Sequence, residues 1–178
     1  MFLAGAPMEP TETAMPKELG WVMVPNLGGL AGYYIVWRKH DNLPARCRVA
    51  RPLPLSFPSA VGQVVLWTVF NSTMGYAAFL AFRDGGGLQG PARPSVVLFA
   101  ASLGYNWAWP PLFYHCKYYA LAMLDITLLC GSVVMLGHAY LPINRHASKL
   151  MAPCFLWTFT AALFNYSVWR CKKHYCSF

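Results

Sequence analysis

Charge is absent from this chain for about twenty residues at a time, and that blocked pattern predicts its elements. Five stretches are uncharged or nearly so: Gly20 to Trp37, Ala60 to Phe82, about Arg93 to Tyr114, Tyr119 to Tyr140 and Leu150 to Trp169. Each is long enough to cross a hydrocarbon core of about 30 Å as a helix. The expected fold is all-α, an integral membrane bundle of five transmembrane helices in one domain over residues 20–171. Residues 1–19 mix Pro, Thr, Glu and Ala without a period and are expected to form a flexible tail. Residues 172–178 form a short basic tail.

The ends of the blocks are marked. Trp21 and Trp37 bracket the first span as interfacial aromatics, and Arg38-Lys39-His40 stops it. Pro25 is expected to kink its first turns, and Gly28 and Gly32 form a GxxxG pair that admits a close helix neighbour. Residues 38–59 are the longest connection, with five Lys or Arg followed by Pro52, Pro54 and Pro58. A solvated loop at the headgroups and a lid over a bundle cavity both suit it. Trp67 and Asn71 share a face of the second span, above a small, polar patch of Ser72, Thr73 and Gly75. Gly85-Gly86-Gly87 is a helix-ending turn rather than a phosphate loop, since no strand precedes it and no GK[ST] follows.

The third span closes on Asn106-Trp107-Ala108-Trp109-Pro110-Pro111. Two indoles, an amide and two prolines at membrane depth require cover from neighbouring helices or a cavity to line. Asn106 and Trp109 are three apart and fall on one face, and Ala100 and Gly104 repeat the small-residue spacing. Asp125 is the one acidic residue inside a span, which marks it for a ligand role or a specific partner. In the last span Trp157, Ala161 and Phe164 form one stripe, and Asn165 and Trp169 another.

Composition agrees with a membrane setting. Of 178 residues 57% are hydrophobic and only 11% charged, against about 25% charged in soluble domains; mean hydropathy is +0.37. The net charge of +8 gathers between the apolar blocks, which makes it a topology signal and argues against a nucleic-acid partner. Nine of the fourteen Lys and Arg follow spans one, three and five. That side should face the cytosol, with the C-terminus in it. Glu9, Glu12 and Glu18 before the first span argue against a cleaved signal. Six cysteines without a CxxC pair read as free thiols in a reducing compartment, with no zinc site. The five histidines sit mostly at span ends and never at helical ligand spacing, so no metal or cofactor is expected.

Together the five spans, the tryptophan enrichment and the hexapeptide from Asn106 to Pro111 resemble the TspO/MBR family, the translocator-protein or peripheral benzodiazepine receptor group. Pro54 and Pro58 are similar to that family's first loop, and Trp67 with Met74-Gly75-Tyr76 to its second helix. Asp125 falls where its fourth helix carries an acid, and Trp157 with Asn165-Tyr166-Ser167-Val168-Trp169-Arg170 resembles its fifth. Gly85-Gly86-Gly87-Leu88 and Pro142-Ile143-Asn144 resemble the second translocator-protein paralogue. The chain departs from the pattern at Val65, Asn71 and Ser56-Phe57, positions that border the family's ligand pocket.

The resemblance implies a cytosol-facing pocket under the first loop that takes apolar, planar ligands such as protoporphyrin or haem and isoquinoline-type drugs. Carried over residue by residue, its candidates are Trp67, Asn106, Trp107, Trp109, Asp125 and Trp157. It also implies cholesterol on the fifth helix at Leu163, Tyr166 and Arg170. The loose sterol pattern they match occurs twice more, at Leu30-Tyr33-Arg38 and Leu112-Tyr114-Lys117. Membrane lipids are further partners, and the small-residue spacings leave a homodimer open. The expected function is non-enzymatic sterol or porphyrin binding and trafficking in an intracellular membrane, that of the endoplasmic reticulum or the outer mitochondrial membrane. The alternatives are tryptophan-dependent oxidative porphyrin degradation and a structural or adaptor subunit.

Overall fold

The computed structural model describes residues 15–39 and 58–175. The expected lid and the proline-rich part of the first loop before Pro58 lie outside them. Five long helices follow in order: α1 (Met15–Lys39), α2 (Ala60–Asp84), α3 (Arg93–Pro110), α4 (Tyr119–Tyr140) and α5 (Arg145–Tyr175). Among the described residues there is no strand. Four helices have a segment long and apolar enough to span a membrane: Glu18–Lys39, Ala60–Asp84, Tyr119–Tyr140 and Arg145–Lys173. The chain is a helical membrane bundle. α1 packs on α2, α2 on α5, α5 on α4, α4 on α3, and α3 returns to α1, which closes a ring.

The surface of this ring is apolar and its interior partly polar. Leu27, Leu30, Val65, Val97, Leu124 and Met135 are exposed, whereas Gln63, Asn71, Asn106, Asp125 and Asn165 are buried. Hydroxyls on the outer faces are satisfied locally: Thr68, Thr127 and Thr160 each donate to the carbonyl four residues back. Such back-bonding lets a Thr face hydrocarbon without an orphaned donor.

Helix ends follow their capping chemistry. Ser59 accepts from the Gly62 amide at the start of α2. Asn144 accepts from the amides of His146 and Ala147, so α5 begins at Arg145, a turn before the expected Leu150. α1 likewise begins at Met15, a turn before Gly20. The glycine turn after α2 needs its glycines, with φ +70° at Gly86 and +67° at Gly87.

The double proline does not stop the third helix where it stands. Pro110 and Pro111 withdraw the amides that would bond the Asn106 and Trp107 carbonyls, and the backbone widens into a π-turn over Pro111–His115. The amide of Cys116 then reaches back to Pro111.

Gly28 and Gly32 take up their close contacts within the chain: a Cβ at Gly28 would run into the Trp107 indole, and one at Gly32 would lie 3.0 Å from Pro110. Gly75 is packed as closely, against the Trp21 carbonyl, which Pro25 leaves without its helical donor. The expectation of six free thiols fails at Cys171, which is disulfide-bonded; among the described residues Cys116, Cys130 and Cys154 are free. Spacing could not show this, because a bridge depends on which thiols meet in space.

Candidate functional site

An aromatic cluster fills the centre of the ring. Trp67 of α2 stacks on Trp109 of α3, with centroids 5.1 Å apart and planes 12° apart. Its ring meets Trp157 of α5 edge-on at 5.7 Å. Phe70 stacks on Trp157, and Trp109 continues onto Phe113 at 5.0 Å. Each such pair contributes about 0.5–1.5 kcal/mol beyond the area it buries, so the cluster ties α2, α3 and α5 together.

A chain of hydrogen bonds runs from this cluster towards α1. Trp67 Nε1 donates to Asn106 Oδ1 at 2.8 Å. Asn106 Nδ2 donates to Asn71 Oδ1 at 2.7 Å. Asn71 Nδ2 donates to the Tyr33 hydroxyl at 2.8 Å and to the Pro25 carbonyl at 3.5 Å. The Tyr33 hydroxyl donates to Asn26 Oδ1, and Asn26 Nδ2 donates to Ser72. Asn106 and Asn71 therefore each use both ends of the amide, as buried amides must.

Between the cluster and α4 a cavity of about 10 Å³ remains, room for about one water molecule. Trp67, Asn71, Asn106, Leu129, Cys154 and Trp157 are among its walls. Ligand pockets run to about 300–1,000 Å³, so the packed indoles leave no ligand-sized space at this point.

The expected pocket residues divide. Trp67, Asn106 and Trp157 line the cavity, and Trp109 backs it, fully buried. Trp107 turns to α1, where its Nε1 donates to the Pro25 carbonyl at 3.0 Å. Asp125 is buried one turn before the lining Leu129 and makes no hydrogen bond or ion pair with a described residue. Among the described residues no three His, Cys, Asp or Glu stand close enough to hold a metal.

On the outside of α5, Leu163 is half-buried while Tyr166 and Arg170 are exposed, all on one face. The two other segments with the same pattern differ. Tyr33 spends its hydroxyl inside the bundle on Asn26 and Asn71. Tyr114 is buried and donates to Gln63 at 2.7 Å. α5 alone of the three presents its tyrosine to the surroundings.

Residues 21–170 match the model of the TspO/MBR family. The chain belongs to the TspO/MBR family. Among TspO/MBR relatives, the translocator protein of Sus scrofa is 30% identical over 152 residues, 85% of this chain and 88% of that one. Translocator protein 2 of Homo sapiens is 31% identical over 159 residues, 86% and 91%. Translocator protein 2 of Mus musculus is 33% identical over 127 residues, 71% and 78%. The chain is thus similar to both named groups of the family at nearly the same identity.

Within this TspO/MBR bundle, sequence reasoning did not pick out Phe70, Met74, Leu129, Val133, Cys154 and Thr158 as cavity walls. Helical spacing held the signal. Phe70 and Met74 follow Trp67 by three and seven residues, Cys154 precedes Trp157 by three, and Thr158 follows Cys154 by four.

Proposed function

We propose that this TspO/MBR membrane protein is a non-enzymatic binder of apolar planar ligands, acting in sterol or porphyrin trafficking within an intracellular membrane. Cholesterol lies along the outer face of α5, with its rings on Leu163 and Tyr166 and its hydroxyl near Arg170 at the headgroup level. A tetrapyrrole such as protoporphyrin enters the interior site of Trp67, Asn106, Trp109 and Trp157 after the indoles swing apart. Trp107 and Asp125 act from its margins.

The observation that carries the sterol reading is the outward Tyr166. Of three segments with one pattern, its tyrosine alone is free to meet a ligand arriving through lipid. The Lys and Arg bias supports a cytosolic C-terminal end of α5. Purified protein should bind labelled cholesterol, keep that binding in Trp67→Phe and Trp157→Phe, and lose it in Arg170→Leu. Binding that ignores Arg170→Leu and falls with the tryptophan changes would refute the placement.

The edge-on Trp67–Trp157 pair at the cavity favours a second reading, oxidative breakdown of a bound tetrapyrrole. Light-dependent loss of protoporphyrin absorbance that disappears in the same two Phe variants would support it.

A further inference from the structure

The two ends of the bundle differ in charge. At one end Arg38 and Lys39 close α1, Lys117 stands in the turn before α4, and Arg170, Lys172 and Lys173 lie in the last turns of α5. The helices α1, α3, α4 and α5 follow one another round the ring, so these cations form an arc over neighbouring helix ends. Lys172 is half-buried and the others are exposed. Among the described residues no acid shares this end: Glu18 and Asp84 stand at the opposite end, and Asp125 lies inside α4. The basic residues of the opposite end are offset in part by those two acids, and Arg83 is bonded to Asp84 at 2.6 Å. In sequence, the connection after α1 adds Arg46, Arg48 and Arg51 against Asp41, which enlarges the excess.

We propose that this basic arc is a binding surface for anionic phospholipid headgroups of the surrounding leaflet, of the phosphatidylserine or phosphatidylinositol class. Three observations select that partner. First, the arc sits at headgroup depth. The spans Glu18–Lys39 and Arg145–Lys173 both end in it, and Tyr119–Tyr140 begins beside it. The 31 residues of α5 come to about 46 Å, more than a hydrocarbon core of about 30 Å. Tyr34, Trp37 and Tyr118 are exposed at the same level, as interfacial aromatics are. Second, two of the cations are held against the bundle rather than left free in water. The Arg38 guanidinium carbon lies 6.0 Å over the Tyr34 ring, and Lys172 Nζ lies 5.0 Å over the Tyr119 ring. A ring face holds a cation without using up its N–H donors. Third, none of the six pairs with a carboxylate of a described residue. Four to eight Lys or Arg directly beside a span attract anionic lipid. An acidic soluble protein fits less well, because these cations lie in the plane of the lipid headgroups. The proposal rests on neither ligand of the trafficking reading.

Lys117, Lys172 and Lys173 carry the test, since Arg170 already serves the sterol reading. The full chain is placed in nanodiscs of phosphatidylserine and phosphatidylcholine in equal parts, each with a diazirine near its glycerol. After irradiation, lipid adducts are mapped by mass spectrometry at both ends of the bundle. At the arc, phosphatidylserine adducts should exceed phosphatidylcholine adducts by at least about fivefold, the effect of about one cation at an anionic surface. Combining Lys117→Gln, Lys172→Gln and Lys173→Gln should bring that ratio close to one, while the three Lys→Arg changes should keep it. The ratio at the opposite end should not move in either variant, which separates lost charge from misfolding. Raising KCl from about 0.1 M to about 1 M should weaken the preference, as screening requires. Should the Gln variant fail to fold, the salt dependence and the contrast between the two ends decide. Equal preference at both ends, a ratio that survives the Gln changes or high salt, or its loss in the Arg variant would each overturn the proposal. So would displacement of phosphatidylserine by soluble polyglutamate, which would point to an acidic protein, or by inorganic phosphate at matched ionic strength, which would point to a free anion.

Discussion

Replacing Asn106 by Ala would cut the hydrogen-bond chain at its centre. The change removes the acceptor for Trp67 Nε1 and the donor to Asn71 Oδ1, at 2.8 and 2.7 Å. Both orphans stay out of bulk solvent, because Trp67 is 5% and Asn71 3% exposed. In soluble proteins each such orphan costs about 1–3 kcal/mol. Within membrane bundles polar side-chain bonds average about 0.6 kcal/mol and reach about 1.7. Two lost bonds should then destabilise by about 1–3 kcal/mol, a fall in Tm of roughly 2–12 °C for a chain of this size. Thermal unfolding of the detergent-purified protein, followed by tryptophan fluorescence, reads this directly. Asn71→Ala and the double variant complete a cycle, with an expected coupling of about 0.5–1.7 kcal/mol. Tyr33→Phe, which removes the next link, should cost less than Asn106→Ala. Additive single changes, or an unaltered Tm in Asn106→Ala, would refute the reasoning.

Other consequences can be checked with the same preparations. Gly28→Leu should destabilise by about 1–3 kcal/mol by driving into the Trp107 indole. Gly104→Leu, where a Cβ meets nothing within 4 Å, should stay within about 0.5 kcal/mol of the parent; equal shifts in thermal unfolding would contradict the α1–α3 packing. Cys116 is exposed and Cys154 buried, so a membrane-impermeant maleimide should label the first in sealed vesicles and the second only after unfolding. Cys116 lies at the same end as the last turns of α5, where Lys172 sits over the Tyr119 ring. Labelling from the cytosolic side is expected, and labelling from the opposite side would reverse the orientation drawn from charge.

The helices were legible because charge is expensive in hydrocarbon, and its absence marks out each span. Their ends were less so. α5 starts where the Asn144 side chain can accept two amides, a local cap that hydropathy does not register. Asn106 and Trp109 were expected on one face, and both reach the cluster. Trp107, one position on from Asn106, is turned about 100° round a helix and meets α1 instead. Helical geometry alone separates those neighbours, whereas the motif groups them. Asn71 stood out as a departure bordering the pocket. Its part in joining Asn106 to Tyr33 depends on α1 lying against α2, a long-range contact that a linear pattern does not carry.

The outward face of α5 can be tested directly with photoactivatable cholesterol, cross-linked to the full chain in lipid nanodiscs and mapped by mass spectrometry across the three segments that share one pattern. Adducts should concentrate between Leu163 and Arg170, exceed those at Leu30–Arg38 and Leu112–Lys117 by about tenfold, equivalent to about 1.4 kcal/mol, and drop in Arg170→Leu. Adducts spread evenly over the three segments, or unchanged by Arg170→Leu, would contradict a sterol seat on that face.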